Sequence, residues 1–243
     1  MHKEYYIENL NYTSFLENQA SSSFEKIKNI ILDYSEKDSK ILDIGCGAGN
    51  LMGMLSSKRN VEGVEISKTS VEKALSKGLR ASTYDGKKLK FSPNYFDVVY
   101  SINVLEHTDD PINFLEEALR VTKVGGYFIL QCPNFLSLTS NYHINTIGLS
   151  KKIKNLFTLI LKLFSTNPKF NKMEVIKNDK FMPDDDACQE TNPIDIIKWS
   201  KGKTHSLYFS SQYLYRKGIF WRFIDNSILK FIFGSSLFVF QKL

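Results

Sequence analysis

The sequence has few cysteines and no long uninterrupted hydrophobic run. Its three cysteines, Cys46, Cys132 and Cys188, are odd in number, far apart and in no CxxC pair, which excludes a disulfide framework and a cysteine-rich zinc site. Charged residues interrupt residues 218–240, the longest apolar region, before it reaches the roughly 18 residues of a membrane-spanning helix. Residues 1–13 lack the apolar core of a signal peptide. We therefore expect a cytoplasmic protein in a reducing environment.

Blocks of one charge sign are also absent. The net charge of +6 comes from 32 basic and 26 acidic residues scattered along the chain, without the basic block of a nucleic-acid tail. The balance still favours anionic partners. With 243 residues, 42% of them hydrophobic and 24% charged, the composition is that of a folded globular chain.

The chain between Lys40 and Cys132 alternates β-branched runs with helical patterns, which indicates parallel strands joined by crossover helices. Asp110-Pro111 has the cap-and-proline signature of a helix start, and Gly125-Gly126 is expected to end that helix and lead into the fifth strand. The predicted strands are 40–44, 61–65, 80–84, 96–101 and 126–132. The predicted helices are 49–58, 67–77 and 110–122.

The segment ILDIGCGAGN, residues 41–50, carries the main functional signal. A strand ends at Asp43, and the glycines that follow would let a ligand lie against bare backbone. Glu65 ends the second strand about 20 residues later, where an acid can accept both hydroxyls of a ribose. Asp85 follows the third strand, where a carboxylate can accept the amine proton of an adenine. Since parallel strands end at one edge of a sheet, these groups predict a nucleoside site.

A dinucleotide is the competing cofactor. Its fingerprint, G-x-G-x-x-G, needs a third glycine where this chain has Asn50, and the spacing found here suits a cofactor without a pyrophosphate. An oxidoreductase that uses a nicotinamide or flavin dinucleotide therefore remains an alternative.

Residues 40–133 resemble a class I S-adenosylmethionine-dependent methyltransferase of the type 11 kind. The motifs that carry the resemblance are ILDIGCGAGN, VEGVEIS, YDGKKLKFSPNYFDVVYSINVLEH and LRVTKVGGYFIL. The resemblance implies S-adenosyl-L-methionine as cofactor, with Asp43 organising the loop around the methionine amino group. It also implies a Rossmann-like, doubly wound α/β sheet, mostly parallel with an antiparallel last strand at LFVFQKL, plus a helical insertion. The predicted cofactor-binding residues are Asp43, Gly45, Cys46, Gly47, Gly49, Glu65, Ile66, Asp85, Gly86 and Asn103.

The predicted organisation is a single methyltransferase domain over residues 1–243. Residues 1–38 form an amino-terminal helical segment, 39–134 the cofactor-binding core, 135–205 an insertion or cap, and 206–243 the completion of the sheet. A short helix is expected after Pro193.

His107 is the predicted catalytic base, because it follows the fourth strand and histidine titrates near neutral pH. Its alternative role is to hold the loop before Asp110. The surrounding SINVLEHT is similar to the E-x-x-E-H region of ubiquinone-pathway O-methyltransferases, but Asn103 stands in place of the first acid, so we predict no metal. His205 is a second candidate base.

Two absences constrain the methyl acceptor. The chain has no Asp/Asn-Pro-Pro-aromatic tetrad after the fourth strand and no basic-aromatic interleaving for base stacking. We expect a small-molecule or lipid-linked acceptor rather than a nucleic acid, with oxygen as the favoured atom. The alternatives are an RNA-modifying methyltransferase and a catalytically silent S-adenosylmethionine-binding protein.

Residues 147–165 predict a basic amphipathic helix. Two roles are open for it. It packs its apolar face on the core of the protein, as we expect, or it caps the acceptor pocket and touches an anionic bilayer. The apolar face comprises Leu149, Ile153, Leu156, Phe157, Ile160, Leu163 and Phe164. The polar face comprises Lys151, Asn155, Thr158 and Lys162. The acidic run 184–186 is interpreted as a solvated turn, with binding of a hydroxylated acceptor as the alternative.

Overall fold

The computed structural model of the chain falls into two compact units. The first contains residues 1–104, 112–129 and 242, and the second contains 105–111, 130–241 and 243. The residues that the structure describes are 24–138, 148–175, 186–211, 223–224 and 226–243.

Helices and strands alternate through the first unit and continue into the second. The helices are α1 (Glu25–Asp33), α2 (Asn50–Ser56), α3 (Lys68–Ser76), α4 (Pro111–Val121), α5 (Leu149–Phe164) and α6 (Pro193–Ser200). The strands are β1 (Lys40–Ile44), β2 (Asn60–Glu65), β3 (Arg80–Thr83), β4 (Phe96–Ile102), β5 (Thr122–Cys132), β6 (Asn171–Lys172), β7 (Gln189–Glu190), β8 (Thr204–Ser211) and β9 (Ser236–Lys242). Short 3₁₀ helices cover Leu105–His107 and Ile228–Phe231.

The sheet of the first unit has the strand order β3-β2-β1-β4-β5. The pairs β1–β2, β1–β4 and β2–β3 are parallel, with Ile41 opposite both Val61 and Val98. From β1 the chain moves outward to β3 and then returns to the other side of β1 as β4, which creates a topological switch point where ligands bind in open α/β sheets. The predicted mostly parallel Rossmann-like α/β class is confirmed.

The second unit contains the 3₁₀ helix Leu105–His107, the carboxyl end of β5 and all later elements except Lys242 of β9. Its strands β9 and β8 are neighbours, and β9 covers the LFVFQKL segment with its first five residues buried. The short strands β6 and β7 pair antiparallel, with Asn171 opposite Glu190. The predicted helix after Pro193 is present as α6, where the side chain of Asn192 accepts a bond from the N–H of Asp195. Leu136, Leu159 and Ile194 form a buried cluster in this unit.

The boundary predicted at Gly125-Gly126 is wrong, because both glycines lie inside β5, which already begins at Thr122. Gly125 has a φ of 76°, and a Cβ atom on Gly126 would lie 2.7 Å from the carbonyl oxygen of Asp97. These glycines allow an irregular strand to approach a neighbouring backbone, a need that also selects glycine.

The expected packing of α5 is also wrong. Its buried side chains are Asn155, Leu159 and Lys162, two of which belong to the predicted polar face. All seven residues of the predicted apolar face are exposed. Asn155 and Lys162 form hydrogen bonds within the second unit, and these bonds determine which face of α5 is buried.

Candidate active site

The glycine loop follows β1 at the switch point of the first unit. Gly45, Gly47 and Gly49 all have positive φ values, of 82°, 51° and 79°. The N–H groups of Gly45 and Cys46 both donate to the carbonyl oxygen of Val64, at 2.8 and 3.1 Å. The protein's own backbone bonds therefore hold the loop against the end of β2.

Two of the three glycines are required by packing within the protein itself. A Cβ atom on Gly45 would lie 2.3 Å from Cγ2 of Val104, and one on Gly49 would lie 2.5 Å from Cδ1 of Leu79. Real Cβ atoms do not approach other heavy atoms this closely, and a positive φ adds backbone strain for any L side chain. The packing of the loop itself therefore favours the absence of side chains at Gly45 and Gly49, in addition to any requirement of a ligand.

Glu65 fixes this loop from the end of β2. Its Oε2 accepts the N–H of Gly47 at 3.0 Å, and its Oε1 accepts the N–H groups of Ile66 at 2.8 Å and Ser67 at 3.1 Å. An ionised carboxylate has about four acceptor positions, so three bonds leave room for a further donor such as a ribose hydroxyl. Burial raises the pKa of Glu65, and the three N–H donors oppose that effect.

Asp43 is a second buried acid beside the loop. The phenol of Tyr100 donates to its Oδ2 at 2.8 Å, because the β1–β4 register places the two residues opposite each other. Burial, opposed by the bond from Tyr100 and supported by the charge of Glu65, raises the pKa of Asp43 to about 8. Two buried acids in close electrostatic contact favour a cationic ligand.

Asp85 lies beyond the end of β3, in an exposed loop. Its Oδ1 accepts the N–H groups of Lys87 at 2.8 Å and Lys88 at 2.9 Å, so the carboxylate stabilises its own turn. Its role at an adenine stays a prediction. Gly86 and Asn103 have positive φ values of 71° and 55°, which marks both as turn positions.

Three side chains of α4 hold the loop that carries Asp85. Asn113 Nδ2 donates to the carbonyl of Lys87 at 2.7 Å, and Glu117 Oε2 accepts the N–H of Leu89 at 2.8 Å. The guanidinium of Arg120 donates to two carbonyl groups of the same loop and to Glu117. This support was not predicted from the sequence. The available signal was the spacing of Glu117 and Arg120, an acid and a base three residues apart.

The second unit contains His107 and a group of acids around it. Glu106 is fully buried, with Oε1 3.7 Å from Nε2 of His107, and Asp186 places Oδ2 3.5 Å from Nδ1 of the same ring. Burial raises the pKa of Asp186 to about 6. Asp186 is only 6% exposed, which contradicts a solvated turn at this residue; the other two acids of the run lie outside the described residues.

Backbone and side-chain bonds tie the segment after Asp186 to the residues around His107. The N–H of Cys188 donates to the carbonyl of Glu106 at 2.9 Å, and Gln189 Nε2 donates to the carbonyl of Asp109 at 3.3 Å. Acceptor binding by the run 184–186 was only the alternative interpretation, and residues 187–189 were not predicted as part of the site, because the fold brings them to the residues around His107 across about 80 residues.

Cys46, Cys132 and Cys188 are all free and buried, and burial raises the pKa of each thiol. His205 is exposed on β8, while His2 and His143 lie outside the described residues. Within the ranges that the structure describes, no group of three His, Cys, Asp or Glu side chains could hold a metal ion. In the same ranges, no helix is long and apolar enough to cross a membrane.

Comparison with protein families matches residues 42–130 to the methyltransferase domain family. The matched residues run from β1 to the carboxyl end of β5 and contain the whole glycine loop, Glu65, Asp85 and His107. The family assignment therefore falls on the part of the chain for which the sequence predicted a cofactor site.

Curated relatives agree with this assignment. A ubiquinone biosynthesis O-methyltransferase of Nitrosomonas europaea is 29% identical over 116 residues, which are 44% of this chain and 48% of the relative. A 2-methyl-6-phytyl-1,4-hydroquinone methyltransferase of Synechocystis is 32% identical over 106 residues, which are 41% of this chain and 33% of the relative. The chain thus spans between about a third and a half of the length of these relatives.

A solved structure extends the similarity of fold beyond the matched region. The S-adenosylmethionine-dependent methyltransferase structure from Methanosarcina mazei has a TM-score of 0.57 and 19% identity, and it covers 88% of this chain and 97% of its own. At that identity the similarity supports the Rossmann-like fold alone.

The contact between Gly45 and Val104 gives a test of the loop's construction. We expect Gly45→Ala to lower the free energy of unfolding by about 1–3 kcal/mol more than Gly78→Ala. Gly78 is a matched control, because its φ is also positive, at 74°, but a Cβ there would meet nothing within 4 Å. Urea unfolding of both variants measures the difference. Equal losses would show that backbone strain alone, without the close contact, explains the glycine.

Proposed function

We propose, from the premise that residues 42–130 belong to the S-adenosylmethionine-dependent methyltransferases, that this protein transfers a methyl group to a small-molecule or lipid-linked acceptor, with oxygen as the favoured atom. The observation that carries the proposal is the bonding of the Glu65 carboxylate to the N–H of Gly47, beside the buried acid Asp43. In the proposed site this pairing forms an edge without side chains, beside an acid that would accept ribose hydroxyls.

The residues present fit S-adenosyl-L-methionine, the cofactor of this family. When bound, it supplies a methyl group on a positively charged sulfur. In their ionised forms Asp43 and Glu65 would give the site negative charge, which suits a cationic ligand. The glycine loop excludes side chains, and Ile66 follows Glu65 where an apolar contact to a nucleoside base is expected. Asp85 stays the predicted partner of the adenine amine.

His107 is proposed as the group that takes the acceptor proton. An imidazole that gains a proton becomes a cation, and both ring nitrogens of His107 face buried carboxyl groups, those of Glu106 and Asp186. These acids would stabilise the imidazolium and hold the ring in place. Transfer itself is an in-line displacement, so the remaining task of the protein is to align the two reactants.

The names of the relatives support an acceptor class. One acts in ubiquinone biosynthesis as an O-methyltransferase, and the other is named for a phytyl-substituted hydroquinone. We propose a ring hydroxyl on a molecule with an apolar chain as the acceptor to test first. Release of S-adenosylhomocysteine from a set of such phenols, compared with RNA, would identify the class. Binding of the cofactor without any release would favour the silent binding protein.

The raised pKa of Asp43 predicts proton release when the cofactor binds. At pH 7 the ligand-free carboxyl, with a pKa of about 8, holds its proton, and a bound amino group would favour the ionised form. We expect release of up to about one proton per S-adenosylmethionine, and affinity that rises with pH toward about 8. Titration calorimetry at pH 7 in phosphate and in Tris measures this number.

Asp43→Asn is the matched variant for that measurement, since the amide oxygen can still accept the Tyr100 hydroxyl. It should bind the cofactor more weakly and release much less proton. If Asp43→Asn released as much proton as the parent, the group that loses the proton would be a residue other than Asp43.

His107 and Asp186 give the test of catalysis. We expect His107→Gln to lower kcat by about 100-fold with little change in the cofactor Kd, and Asp186→Asn to lower kcat by a smaller factor. Above a pH of about 6 Asp186 is ionised and can stabilise the imidazolium, so the rate should fall as the pH drops through 6, and Asp186→Asn should remove that part of the profile.

His205→Gln is the matched control, because His205 is an exposed histidine on β8. Turnover should be unchanged in this variant. Parent-like kcat in His107→Gln would contradict a role as base and leave the residue a structural one.

A further inference from the structure

The helix α5 turns its apolar side chains away from the protein. Phe164 is 83% exposed, Phe157 61% and Ile153 60%, values that are unusual for large hydrophobic residues in a folded chain. The exposed hydrophobic residues of this helix are Leu149, Ile153, Leu156, Phe157, Ile160, Leu161, Leu163 and Phe164. We call this set the α5 apolar surface.

Buried polar bonds fix the helix in this orientation. Asn155 Nδ2 donates to the carbonyl oxygens of Phe135 at 3.1 Å and Ser137 at 3.3 Å. Lys162 Nζ donates to Oδ2 of Asp195 at 2.5 Å and to the carbonyl of Lys169 at 2.7 Å.

Asp195 and Lys162 form a buried ion pair, with Asp195 fully buried. Asn192 supplies a second donor to the same carboxylate oxygen, at 2.8 Å. Rotating α5 to bury its apolar surface would remove Lys162 and leave the Asp195 charge without its cation, which is strongly unfavourable. The outward position of the α5 apolar surface is therefore set by the fold of the second unit.

Positive charge borders the α5 apolar surface at its amino-terminal end. Lys152 and Lys154 precede and follow Ile153, so each lies about 100° around the helix from it, on opposite sides. Both are exposed, as is Lys151, and the positive end of the helix dipole lies at the same end. The sixteen residues of α5 contain no Asp or Glu.

This combination identifies the chemistry of the partner. A surface with exposed apolar side chains in its centre, lysines beside them and no acid suits a medium that is apolar inside and anionic at its boundary. A lipid bilayer that contains anionic headgroups has both properties. A helix of sixteen residues is about 24 Å long, enough to lie in the interface and bury one face without crossing it.

We propose that the α5 apolar surface docks the protein on anionic lipid bilayers, with α5 lying in the plane of the headgroups. The lysines beside Ile153 contact lipid phosphates, while Phe157 and Phe164 enter the acyl boundary. The proposal stands on α5 alone and does not depend on methyl transfer, but it places the protein where a lipid-linked acceptor would be found.

Sedimentation with vesicles tests the proposal on the full chain without any cofactor. The probes are phosphatidylcholine vesicles with and without roughly 30% phosphatidylglycerol, which supplies anionic headgroups. We expect the parent to sediment with the anionic vesicles, and the triple variant Ile153→Gln/Phe157→Gln/Phe164→Gln to bind at least about tenfold more weakly. These three side chains are exposed, so the substitutions should leave the fold intact, which circular dichroism can check.

A matched control distinguishes binding by the α5 apolar surface from nonspecific hydrophobic binding to vesicles. Leu75→Gln/Val124→Gln/Leu207→Gln removes three exposed hydrophobic side chains elsewhere and should bind vesicles like the parent.

Charge variants test the second part of the proposal. Lys152→Gln/Lys154→Gln should weaken binding to anionic vesicles by about fivefold per lysine, with little effect from Lys37→Gln/Lys90→Gln.

Two outcomes would overturn the proposal. Parent-like vesicle binding by the triple variant would show that another surface carries the contact. The second outcome is a parent protein that does not bind vesicles but forms dimers in light scattering, with no dimers formed by the triple variant. That result would assign the α5 apolar surface to contact with a second copy of the chain. Because no methyl donor is present, neither outcome bears on the proposed enzymatic activity.

Discussion

The carboxylate of Glu65 organises the proposed cofactor site of this protein. Through bonds to the N–H groups of Gly47, Ile66 and Ser67, one buried side chain connects the glycine loop after β1 with the turn after β2. A carboxylate is suited to this task, because it accepts several bonds without donating any. The loop, with three glycines at positive φ, is held by this carboxylate and by the carbonyl of Val64. In the proposed site, the same geometry would give a nucleoside a surface of bare backbone.

The buried acids lower the stability of the protein as well as forming its proposed sites. Asp43 and Glu65 lie close enough for each charge to matter to the other, and burial raises the pKa of both. Such pairs destabilise a protein near neutral pH and are kept where a ligand repays the cost. In the second unit, Glu106 and Asp186 create a similar setting around His107, with Asp186 titrating near pH 6. Each unit thus contains buried carboxyl groups, and the proposed function assigns to them a positively charged cofactor in the first unit and an imidazolium in the second.

Sequence patterns predicted the first unit well because β1 and β2 are short apolar runs, the first followed by the glycine loop and the second ended by an acid, and these signals are visible locally. The opposition of Asp43 and Tyr100 was missed, since it depends on the register of β1 with β4, strands that are 57 residues apart at this pair. Helix α5 was located almost to its ends, but its inward face was predicted wrongly. Periodicity shows that a helix has two faces, and it cannot show that Lys162 has a buried partner in Asp195, 33 residues later. The contact of Asp186 with His107 was hidden for the same reason.

The most direct test of this account is the affinity of S-adenosylhomocysteine for Glu65→Gln, measured by titration calorimetry beside the parent and an Asp97→Asn control. The amide of glutamine cannot accept all three N–H groups, so we predict at least about tenfold weaker binding by Glu65→Gln, equivalent to about 1.4 kcal/mol, and parent-like binding by the control. Equal affinity in the parent and Glu65→Gln would contradict the claim that this carboxylate builds the cofactor site.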